Sequence, residues 1–168
     1  MNRNYRNSLS IIGTALFLIF LASFQVSFIN SSFLNLNLFL ILILYLVLTR
    51  NDSKALIFAW LGGILTGLNY FSSFGTNSLV LLILTAILII LYKIVFLTLK
   101  TESILLISTI GVMLYRFLNW LLTNGEFGLY FSGREILTEL ISTILILLII
   151  FKITTLRVTT RRVKTQNA

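Results

Sequence analysis

Reaction chemistry in an apolar chain needs ionisable side chains at useful spacing, and few are present here. There are five carboxylates, no histidine and no cysteine. Thiolate and imidazole ligands, histidine acid–base chemistry and disulfides are therefore excluded, which leaves Asp and Glu as the only good metal ligands. Glu135 and Glu139 stand four residues apart, a spacing that puts both on one face of a helix. Glu135, however, follows Arg134 at a helix start, where the macrodipole favours an acid with no catalytic duty and where water can solvate it. No phosphate-binding loop, no metalloprotease pair of histidines and no nucleophile elbow occurs in the sequence. The residues point to no catalytic site, no metal site, no cofactor and no enzymatic activity.

One ionisable residue stands out by position. Arg116 lies in the apolar run Gly-Val-Met-Leu-Tyr-Arg-Phe-Leu-Asn-Trp, seven residues from the end of the fifth apolar segment, roughly 10 Å deep at about 1.5 Å per residue. An arginine at the centre of a bilayer costs at least about 2.5 kcal/mol, less at this depth, so a partner is expected. Glu139, roughly 8 Å inside the sixth segment by the same rise, is the expected partner in an intramembrane ion pair. The alternative is that Arg116 snorkels outward beside Asn119 and Trp120.

The elements that must position these residues follow from composition. With 58% apolar residues, 11% charged and a mean hydropathy of +1.01, the chain lies outside the range of soluble domains and in that of integral membrane proteins. Segments of roughly 20 residues span a bilayer. The sequence predicts an all-α, polytopic domain over residues 1–168, with six transmembrane helices near 9–28, 34–48, 55–71, 78–99, 103–123 and 134–152 and a basic tail over 153–168. The first segment follows Arg3 and Arg6 as a signal peptide would. It is long enough to span, however, and Leu21-Ala22-Ser23 lacks a cleavage pattern.

Cations set the orientation. Of the 13 Lys and Arg, all but Arg116 and Arg134 fall at the N-terminus, at 49–54, at 93–102 or from Lys152 onward, and loops 29–33 and 71–77 carry none. By the positive-inside rule both termini are cytoplasmic, which requires an even number of spans. The net charge of +8 is thereby explained without nucleic acid. Arg157, Arg161, Arg162 and Lys164 lie beyond the last span with no acid among them and are expected to contact anionic lipid, or else to act as a plain topology signal.

Within the third segment Ala59, Gly63 and Gly67 recur every four residues. One row of small residues lets a second helix approach backbone to backbone. This seam is expected to serve helix packing or partner contact, either inside the bundle or at an interface.

The run Gly-Ile-Leu-Thr-Gly-Leu-Asn-Tyr-Phe-Ser-Ser-Phe-Gly-Thr-Asn-Ser-Leu, continuing through the fourth helix, resembles the third and fourth helices of the rod shape-determining protein MreD family. Gly63 matches the family's helix glycine, Phe74-Gly75 its turn and Asn77-Ser78-Leu79 its helix restart. The family's usual acid falls on Gly67 and its common proline on Ser73, so no role of that acid carries over. The resemblance implies a non-enzymatic subunit of the bacterial cell-elongation machinery in the inner membrane. It further implies that the chain scaffolds peptidoglycan synthesis with an MreC-like partner. The six-helix size is also similar to the substrate-binding membrane subunits of energy-coupling-factor vitamin transporters, although Gly13, Ala15 and Ala22 do not supply the Ala-x-x-x-Ala-like patch often seen there. An orphan membrane protein of neither family is the third reading. Oligomeric state is not set by the sequence.

Overall fold

The computed structural model describes residues 13, 16–24, 37–69, 75–95, 101–123 and 133–166. All regular structure among them is helical: α1 over residues 16–24, α2 Leu38–Leu48, α3 Asp52–Asn69, α4 Thr76–Val95, α5 Thr101–Thr123 and α6 Gly133–Gln166. Three stretches, Thr76–Val95, Glu102–Leu122 and Gly133–Ile153, are long and apolar enough to cross a membrane, each about 30 Å at the helical rise. The chain is a helical membrane protein on this ground. Helix α3 is diluted by Asp52, Lys54, three glycines and Asn69, and α2 is described over 11 residues.

Helix α2 is the centre of the bundle. Its sequence, Leu-Phe-Leu-Ile-Leu-Ile-Leu-Tyr-Leu-Val-Leu, is apolar all round, and such a helix has no face to give to water. Phe39, Leu40, Ile43, Leu44 and Val47 are fully buried, and α3, α4, α5 and α6 all pack on α2. The other helices turn apolar rows outward, as lipid contact requires: Leu137, Ile141, Leu145 and Ile149 on α6 are each more than half exposed. Trp60, also exposed, belongs to this outer surface of α3.

Helix limits depart from the expected ones in explicable ways. Helix α2 begins at Leu38, not 34, because Asn37 is an extended N-cap whose Oδ1 accepts from the Leu40 N–H at 3.1 Å. Helix α3 begins at Asp52, three residues before the expected 55, with an acid in its first turn where the dipole favours one. Helix α4 starts at Thr76 and α5 at Thr101, each two residues earlier than expected. The largest departure is at α6. The sequence predicts an end near Lys152, yet the helix runs on to Gln166. The apolar span itself stops at Ile153, where the expected boundary lies, but no Gly or Pro follows to break the backbone. Hydropathy marks a membrane boundary and not a helix end.

At its other end α2 closes in a Schellman motif. Arg50 N–H donates to the Val47 carbonyl and Asn51 N–H to that of Leu46. Arg50 occupies the left-handed position, φ +57°, which glycine takes at lowest cost. Gly75, φ +93°, opens α4 in the same conformational region, and no contact would hinder a side chain there. Its backbone alone selects glycine. Phe74, the other residue of the expected turn, lies outside the described residues.

Candidate functional site

The ionisable residues singled out in the sequence meet between α5 and α6. These helices pack as neighbours, with Arg116 seven residues before the end of α5 and Glu139 six residues after the start of α6. The two therefore lie at similar depth, about 10 Å from the connection at the helical rise. Arg116 Nε donates to Glu139 Oε2 at 2.7 Å. The Arg116 and Glu139 side chains are only 9% and 5% exposed, so this is a buried, charge-assisted hydrogen bond of the strong kind. The snorkelling alternative does not hold, because the guanidinium is enclosed. Asn119 instead donates to the Tyr115 carbonyl at 2.9 Å, and Trp120 packs on Phe117 with ring centroids 5.8 Å apart.

Glu135 does not simply point to water. Its Oε2 lies 3.5 Å from an Arg116 terminal nitrogen, and the side chain is 45% exposed. One guanidinium thus faces two carboxylates on successive turns of α6, one dry and one half-wet. The Tyr115 side chain lies beside those of Asn119 and Asn37, which brings the start of α2 into the same polar cluster. One turn inward from Glu139, Thr143 is fully buried, and its Oγ1 has no hydrogen-bond partner among the described residues. Other buried hydroxyls behave as expected for spanning helices: Thr85 donates to the Leu81 carbonyl and Ser108 to that of Ile104, both at 2.6 Å.

The Arg116–Glu139 pairing was legible from depth and loop length. The parts of the cluster that were not are Asn37, Tyr115 and the second carboxylate. Their available signal was the spacing of Tyr115, Arg116 and Asn119, one helical turn on α5, but nothing local in the sequence connects Asn37 to it.

The glycine row lies inside the molecule. Ala59 is fully buried, and Gly62, Gly63 and Gly67 are buried. A Cβ added at Gly63 would overlap the Cα of Ser78 and come within 2.6 Å of its nitrogen, so α3 and the start of α4 touch backbone to backbone. Ser78 Oγ fastens the contact by donating to the Trp60 carbonyl at 3.1 Å. Gly62 admits the ring of Phe39, 2.5 Å from where a Cβ would be. Gly63, the middle residue of the row Ala59, Gly63 and Gly67, is thus a packing contact of the α3–α4 hairpin. Arg157, Arg161, Arg162 and Lys164 all fall in the part of α6 beyond Ile153. Along the axis they run from about 6 Å to about 16 Å past the end of the apolar span.

The site can bind or brace, through a guanidinium held between two carboxylates, and no nucleophile–base pair is assembled among the residues described. No protein-family model, no curated protein and no solved structure matches this chain.

Proposed function

We propose that this chain is a six-span protein of the bacterial inner membrane with both termini in the cytoplasm. It serves without enzymatic activity as a subunit of the cell-elongation and cell-shape machinery, where it scaffolds peptidoglycan synthesis. The observation that carries this reading is the α3–α4 hairpin. The stretch that resembles the MreD family is the one in which Gly63 rests on the Ser78 backbone, and Gly75 turns with positive φ where the family has its turn. A binding role also suits the state of the ionisable groups: Asp52, Glu135 and Glu139 each sit in an ion pair with a cation of the same chain. Since the glycine row is turned inward, the partner contact falls to the outward faces of the bundle, and the cations from Arg157 to Lys164 meet anionic lipid at the cytoplasmic surface.

The test is co-purification of the tagged full chain from native membranes. Recovery of an MreC-like single-span protein is expected. Recovery of ATPase subunits in its place would contradict the scaffold and favour a transporter component.

A further inference from the structure

Three helix ends meet at the opposite pole of the molecule from the Arg116 cluster, and each carries a cation. Arg50 follows α2, Lys54 lies in the first turn of α3, and Lys93 lies in the last turn of α4. All three are exposed. Asp52 is the one acid of the group, and its Oδ2 accepts from Lys93 Nζ at 2.6 Å, while the Lys93 side chain stays 64% exposed. That carboxylate takes one of the three donors of an ammonium. The net charge of the four groups is positive by two.

The cluster is also fixed in place. The Tyr92 ring is buried, and its hydroxyl donates to the Leu48 carbonyl at 3.3 Å, tying the end of α4 to the end of α2. The Arg50 guanidinium lies 5.9 Å from the centroid of the same ring, within cation–π range. Arg50 holds this place from a left-handed backbone position at which glycine would relieve strain. Helix α4, over its 20 residues, is long and apolar enough to cross a membrane, and Tyr92 and Lys93 stand in its final turn. When α4 crosses the bilayer, these side chains are level with the headgroups.

We infer that Arg50, Lys54 and Lys93 form a binding site for the phosphate group of an anionic phospholipid, seated on Tyr92 at the junction of α2, α3 and α4. A guanidinium and two ammonium groups at adjoining helix ends, at headgroup depth, match a phosphodiester that is already part of the surrounding solvent. The site needs only that α4 spans the membrane, and it is independent of the scaffold proposed above.

The full chain is reconstituted in phosphatidylcholine nanodiscs with or without phosphatidylglycerol, and co-purifying lipid is counted by native mass spectrometry. The background is the variant with Arg157, Arg161, Arg162 and Lys164 all replaced by Gln, so that α6 does not contribute. Phosphatidylglycerol is expected to be retained over phosphatidylcholine. Arg50→Gly should lower that preference about fivefold, as should Lys54→Gln, each cation near a charged surface having that weight. In pure phosphatidylcholine Arg50→Gly should leave unfolding near wild type, since relief of the left-handed backbone position offsets the lost contact with Tyr92. No preference for phosphatidylglycerol in the background protein would overturn the site. So would an unchanged preference in both variants, or equal destabilisation of Arg50→Gly in the two lipids, which would make Arg50 a structural residue only. Protection by glycerol phosphate in solution as strong as by the lipid would overturn the assignment to lipid.

Discussion

Removing Arg116 and removing Glu139 should not be equivalent, because the guanidinium has two carboxylates and the buried carboxylate has one guanidinium. In Arg116→Ala, Glu139 is left 5% exposed with Glu135 one turn away, so a dry acid loses its cation and keeps a like charge beside it. Breaking such a buried pair from one side costs about 3–5 kcal/mol. In Glu139→Ala, Arg116 keeps the Glu135 contact at 3.5 Å, and the loss should fall below that range, about 2–3 kcal/mol. Glu135→Ala, at a half-exposed acid with the longer contact, should stay within about 1 kcal/mol. The double variant Arg116→Ala/Glu139→Ala strands no charge, so it should lose about 1.5–3 kcal/mol less than the sum of the singles. The assay is reversible unfolding of the full chain in bicelles. Additivity within about 0.5 kcal/mol, or a larger loss for Glu139→Ala than for Arg116→Ala, would refute the geometry argued for this cluster.

Two further perturbations test the packing. Gly63→Leu should abolish accumulation of the folded protein, since even a Cβ there meets the backbone of Ser78 and a backbone cannot rotate away. Leu61→Val, at a partly buried position, should cost about 1 kcal/mol; folded Gly63→Leu protein at wild-type yield in a fluorescence-detected gel filtration would remove the seam. Thr143→Val keeps the shape and deletes a buried hydroxyl that has no partner among the described residues, so it should raise stability by about 1–2 kcal/mol. A loss of that size in the same unfolding assay would mean that the hydroxyl is satisfied in the membrane.

The fold class and the Arg116–Glu139 contact were readable because membranes make a few features decisive. An apolar segment has one way to satisfy its backbone, and an arginine within it needs an acid at matching depth. The limits of α2 and α3 were not readable to the residue, because Asn37 and Asp52 act as end signals inside stretches whose composition looks continuous with their surroundings. The central place of α2 was in the sequence, in the absence of any polar face, yet its contacts with four other helices come only from packing. Hydropathy also gave no reason to extend α6 past Ile153, since a helix entering water need not change its backbone. The Asn37 contribution to the polar cluster depends on how the start of α2 sits against α5, and no local pattern encodes that.

The central claim is that the chain crosses the bilayer six times with both ends in the cytoplasm, and the absence of native cysteine makes it directly measurable. Single cysteines at Ser53 and Ser73 are exposed to a membrane-impermeant thiol reagent in intact cells. The expected result is labelling of Ser73→Cys and protection of Ser53→Cys until the cells are permeabilised. Labelling of Ser53→Cys with protection of Ser73→Cys would invert the orientation, and labelling of both in intact cells would contradict a membrane crossing by α3.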